Sequence, residues 1–86
     1  MDKDFIISAF RDSISHNEKF HKEIYGELPL PGSIEDTVLA LSSLSFVELL
    51  IDVEERIDFE FAEDCMTSSK VKISELIEII AEKYHT

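Results

Sequence analysis

Every glycine and every proline of this 86-residue chain lies in one segment, GELPLPGS, between Gly26 and Ser33. Because proline cannot continue a helix and glycine commonly ends one, this segment predicts a loop, with Gly26 closing the helix before it. No residue of either kind interrupts the rest of the chain. The sequence therefore predicts an all-α fold, and its length leaves room for a single domain, residues 1–86, with one modest core.

Apolar residues recur at helical spacing in three stretches of the chain. We predict three main helices from them, and a loop that extends from Gly26 to about Ser42. The predicted helices run from about Asp2 to Tyr25, from about Ser43 to Ile57, and from a start between Lys70 and Ser74 to an end near Tyr84.

The link DFEFAED, residues 58–64, follows the second of these helices. It predicts an irregular or short helical segment whose anchors are Phe59 and Phe61. Counting that segment, the sequence predicts a small four-helix bundle, with three main helices and one short one.

The charge of the chain excludes several kinds of partner. The formal net charge is −11, which is incompatible with binding nucleic acid by phosphate neutralisation. Anionic membranes would also repel a protein of this charge. Basic protein surfaces or cations are the expected partners. A single cysteine, Cys65, together with the absence of a signal-like start or an 18-residue apolar run, predicts a cytoplasmic protein.

The second predicted helix is apolar on two sides. A core stripe follows positions i, i+3, i+4, i+7 and i+11, and a second group of residues lies opposite it. The stripe consists of Phe46, Leu49, Leu50, Val53 and Ile57, and the opposite group consists of Leu44, Val47, Glu48, Ile51, Glu54 and Glu55. We call this opposite group the outer face.

Two interpretations of the outer face are open. In the first, the helix is buried on both sides, or its outer apolar residues are ordinary exposed residues without a role. In the second, the outer face binds a partner that has basic residues around an apolar pocket. Between Glu35 and Asp64 the chain has ten acidic residues against Arg56 alone, a local charge of −9 out of −11. This concentration of charge on one element favours the docking interpretation.

Three serines, Ser42, Ser43 and Ser45, stand at the start of the same helix. Helix capping explains such residues on its own: Ser42 can cap through its hydroxyl, and Ser45 with Glu48 matches the S-x-x-E capping box. Capping does not explain why Ser43-Leu44 is followed at a fixed distance by Val47-Glu48-Leu49 in SSLSFVELLIDVEERIDFEF.

That segment resembles the recognition helix of acyl and peptidyl carrier proteins, in which Asp-Ser-Leu is followed after two residues by Val-Glu-Leu and an acidic helix. The chain differs from this pattern at Ser42, where the family has Asp, and at Ala40, where the family has Gly. The resemblance implies a bundle of acyl-carrier type. It also implies that Ser43 accepts 4′-phosphopantetheine from coenzyme A and holds cargo as a thioester.

The same resemblance implies the partners. They are a phosphopantetheinyl transferase and the loading and processing enzymes of acyl or aminoacyl groups, which would meet the outer face and Ser42 with basic surfaces. The carrier would be a monomer and not itself an enzyme, and the chain, which starts with Met and holds one module, predicts a free-standing carrier.

An unmodified helical protein that binds a basic partner through its second helix is the alternative function. Ser42, in place of the family's Asp, is the feature that favours it. No metal site is expected, because His16, His21 and His85 lack ligand spacing, and Cys65 has no paired histidine to make it a nucleophile. These histidines are expected on the surface, and Cys65 as a small, partly buried side chain.

Overall fold

The computed structural model of the chain describes residues 2–61 and 70–84. These residues are mostly helical, with four helices and one small sheet of two strands. In chain order the elements are α1 (Lys3–Ser15), α2 (Glu18–Tyr25), β1 (Val38–Ala40), α3 (Ser43–Ile57), β2 (Lys70–Lys72) and α4 (Ile73–Tyr84). The predictions for Cys65 and His85, and for the end of the DFEFAED link, fall outside the described residues.

The single helix predicted from Asp2 to Tyr25 is wrong, because the chain breaks there into α1 and α2. At the break, Asn17 has an extended backbone, and its side-chain oxygen accepts a hydrogen bond of 3.0 Å from the Lys19 amide. Asparagine is among the best residues at a helix N-cap, since its side chain satisfies a donor that the helix leaves unpaired. The cap formed by Asn17 therefore explains why α2 starts as a separate helix.

The all-α prediction missed the antiparallel pair of β1 and β2. Leu39 lies opposite Val71 in this pair, and both side chains are buried, while their neighbours along each strand are exposed. β1 ends shortly before α3, and β2 runs directly into α4, so the strand pair joins the segments that lead into these two helices. Two further backbone bonds, from Ile73 to Thr37 and from Ser74 to Glu35, hold the start of α4.

The core forms around α1, which packs against the other three helices. The whole predicted core stripe of α3 is buried in it, as the spacing predicted: Phe46, Leu49, Leu50, Val53 and Ile57. Gly26 ends α2 with a φ of 65°, a left-handed conformation that glycine adopts at little cost.

The start of the link after α3 is anchored as predicted. Phe61 is buried, and its ring meets that of the half-buried Phe59 edge-on, with centroids 5.0 Å apart. Within residues 2–61 and 70–84, none of the helices has the length and apolar content required to cross a bilayer.

Candidate functional site at the start of α3

The three serines at the start of α3 do three different things. Ser42 is the N-cap: its backbone is extended, and its hydroxyl accepts a 3.3 Å hydrogen bond from the Ser45 amide. Ser43 is the first residue of the helix and is exposed. Ser45 is buried inside the first turn. Capping by Ser42 is thus confirmed, whereas the capping box of Ser45 and Glu48 is wrong.

Glu23, on α2, reaches this helix start and was not predicted to lie there. Its Oε1 accepts a 2.8 Å hydrogen bond from the Ser45 hydroxyl, and its Oε2 accepts a 3.3 Å bond from the Ser42 amide. One carboxylate therefore holds the residues on both sides of Ser43. A contact between positions 19 and 22 residues apart leaves no pattern in a single sequence, so sequence reasoning had no means of finding it.

The outer face of α3 is open to solvent at its apolar positions. Leu44 is 66% exposed and Ile51 is 44% exposed, while Val47 between them is half-buried. The helix is therefore not buried on both sides. Leu44 and Ile51 therefore present two large apolar side chains to solvent on one face of α3.

Two of the three acidic residues of the outer face form contacts within the protein, which the sequence did not predict. Glu48 is paired with Lys19 of α2 at 3.1 Å, and the Glu54 Oε2 accepts a 2.6 Å hydrogen bond from the Phe61 amide. Glu55 is exposed and has no hydrogen bond or ion pair within the described part of the chain. Of the three glutamates on this face, Glu55 is therefore the one that no described residue pairs.

A further acid on α3, Asp52, has a pKa below its ordinary value. Burial acts to raise the pKa, but the Ser13 hydroxyl and the Arg56 guanidinium, whose Nε lies 2.9 Å from the Asp52 Oδ2, more than offset it.

We expect Asp52→Asn to lower stability at neutral pH and to lose that effect in acid. Because the folded pKa is lowered, the stabilisation by Asp52 is present above the unfolded pKa and disappears as the pH falls through the folded pKa. Urea midpoints of wild type and variant should converge as the pH falls from neutral through the folded pKa of Asp52. The effect is small, since the pair is about one-third exposed. A constant gap between the two midpoints would contradict this role for Asp52.

No protein-family model, no curated protein and no solved structure matches the chain. The carrier resemblance accordingly depends on the motif residues at the start of α3 and on the geometry described above.

Proposed function

We propose that the protein is an acyl or peptidyl carrier whose 4′-phosphopantetheine arm is attached to Ser43. The observation that carries this proposal is the exposed Ser43 at the first position of α3, followed by Leu44 and by Val47-Glu48-Leu49 in the carrier register. When bound, the arm supplies a thiol that holds cargo as a thioester. A helical bundle of acyl-carrier type and a cytoplasmic location, the latter argued from the single cysteine, belong to the same proposal.

The residues around Ser43 fit a phosphodiester. The first turn of a helix carries backbone N–H groups without intrahelical partners and a partial positive charge, and both favour an anion. Within the described residues, no hydrogen-bond acceptor is found for the N–H groups of Ser43 and Leu44. Because α3 starts at the surface, an arm on Ser43 would extend away from the core into solvent.

The outer face fits the enzymes that such a carrier must visit. Leu44 and Ile51 offer exposed apolar surface, and Glu55 offers beside it an exposed charge that no described residue pairs. A partner with an apolar pocket and a basic rim complements this arrangement, and the charges would mainly increase the association rate. The carrier needs no acid, base or nucleophile of its own beyond Ser43, since the reactions occur in the enzymes that it visits.

We expect Glu55→Lys to slow association with a phosphopantetheinyl transferase. The substitution reverses an exposed charge at the rim, so rising salt should shrink the difference from wild type. Glu82→Lys, an equal charge change at an exposed position of α4, is the matched control and should leave association unchanged. Glu48→Lys is a poorer test because it would place two cations side by side at Lys19. Equal slowing by Glu55→Lys and Glu82→Lys would contradict a localised docking face.

An unmodified interaction protein is the second function that the site supports. The observation in its favour is the Glu23 carboxylate at the start of α3, because a negative charge there opposes an incoming anionic phosphate. Such a protein would use the same outer face to bind a basic partner and would leave Ser43 unmodified.

Intact mass distinguishes the two functions. The protein is incubated with coenzyme A, magnesium and a phosphopantetheinyl transferase of broad specificity, and its mass is compared before and after. The carrier proposal expects the whole population to gain the mass of one phosphopantetheine. No gain in mass, with a known carrier modified in the same tube, would reject the carrier and favour the interaction protein.

A further inference from the structure

We infer that Glu23 is a positioning residue for the modification of Ser43, an inference that rests on the proposed carrier function. Glu23 belongs to α2, yet its two carboxylate oxygens accept hydrogen bonds from the Ser45 hydroxyl at 2.8 Å and from the Ser42 amide at 3.3 Å. Ser43 lies between these two anchored residues. The carboxylate thus joins α2 to both sides of the attachment residue.

The first turn of a helix is the part that most needs such support. Its N–H groups have no partner four residues earlier, so the turn depends on caps and tertiary contacts. Here the Ser42 hydroxyl satisfies the Ser45 amide, and Glu23 satisfies the Ser42 amide and the buried Ser45 hydroxyl. Without Glu23, the buried Ser45 hydroxyl would lose its acceptor and the Ser42 amide would be left to water.

Order at this turn matters for the group transfer. The Ser43 oxygen forms a bond to the phosphorus of the phosphopantetheine unit, and the bond from that phosphorus to the adenosine 3′,5′-bisphosphate leaving group breaks. The hydroxyl proton passes to the transferase or to water. Because Ser43 must sit in line with the breaking bond, a misplacement of about 1 Å can cost roughly a hundredfold in rate.

The charge of Glu23 acts in the opposite direction. A carboxylate beside the incoming phosphate repels it, so neutralising Glu23 would speed modification if repulsion were its main effect. Positioning and repulsion therefore predict opposite changes in rate. We assign the larger effect to positioning, because both carboxylate oxygens of Glu23 are already engaged by hydrogen bonds to the turn.

The test compares Glu23→Gln with wild type. Glutamine keeps the size of the side chain but replaces one of the two carboxylate oxygens by an NH2 group, which donates and so cannot accept the bond that this oxygen accepts in wild type. Glu27→Gln, which removes the same charge from an exposed position just after α2, is the control. Two readouts are measured: steady-state kinetics with coenzyme A and a transferase, and amide hydrogen exchange of the unmodified proteins.

We expect Glu23→Gln to lower the kcat of modification about tenfold with little change in KM, since the outer face that docks the transferase is intact. The Ser42 amide should exchange several-fold faster, while the amides of Leu49 and Leu50 keep wild-type protection and report an intact fold. Glu27→Gln should match wild type in both readouts.

Several results would overturn the inference. An unchanged or faster rate in Glu23→Gln would show that Glu23 does not position Ser43, even if the Ser42 amide exchanges faster. A rise in KM alone that disappears at high salt would assign Glu23 to docking. Both leave the carrier proposal standing, because wild type is still modified. Failure of wild type to be modified at all would reject the carrier and this inference together.

Discussion

Ser43→Ala is expected to abolish phosphopantetheine incorporation completely while leaving the fold intact. Ser43 is exposed at the first position of α3, and the described structure gives its hydroxyl no hydrogen bond to lose. Alanine is the best helix former, so the helix should tolerate the change. The measurement is intact mass after incubation with coenzyme A and a transferase, with a denaturant midpoint to verify folding.

The neighbouring serines are the controls for this prediction. Ser42→Ala removes the N-cap and should cost about 1 kcal/mol of stability, yet the protein should still be modified. Ser45→Ala removes a buried hydroxyl that bonds Glu23, and it should slow modification without preventing it. A peptide map that places the added mass on Ser42 or Ser45, or incorporation that persists in Ser43→Ala, would show that the arm is not on Ser43.

The elements that the sequence predicted well are those in which local pattern and tertiary environment agree. The boundaries of α3 and α4 follow from their apolar spacing, and the core stripe of α3 is buried as that spacing required. Gly26 was identifiable as a helix end because its left-handed conformation is one that glycine favours.

The errors have physical causes as well. Apolar residues recur at helical spacing both before and after Asn17, so the pattern predicted one continuous helix. The break depends on a single side chain, that of Asn17, which caps α2. Strands of three residues are too short to show alternation, and the partners Leu39 and Val71 lie far apart in the chain.

The sequence also predicted some features of the candidate site and missed others. The position of Ser43 at a helix start and the exposure of Leu44 and Ile51 follow from helical geometry. The pairing of Glu48 with Lys19 and the reach of Glu23 to Ser45 are contacts between α2 and α3. They depend on how the two helices pack, which helical periodicity does not specify.

Leu50→Ala is expected to destabilise the protein far more than Ile51→Ala, although the two residues are adjacent in α3. Leu50 is fully buried, so truncation should cost about 2–5 kcal/mol of unfolding free energy through lost transfer energy and a residual cavity. Ile51 is 44% exposed, and the change should stay near about 0.5 kcal/mol. The higher helix propensity of alanine offsets part of even that loss.

Binding should show the reverse order. Ile51 lies on the outer face beside Leu44, so Ile51→Ala should weaken association with the transferase, while any Leu50→Ala protein that remains folded should bind almost normally. Urea midpoints at a constant m-value give the stability difference, and transferase kinetics at low denaturant give the binding difference. If Ile51→Ala unfolds as easily as Leu50→Ala, the outer face contributes to the core. It could not then serve as a docking surface, and the carrier proposal would depend on the Ser43 motif alone.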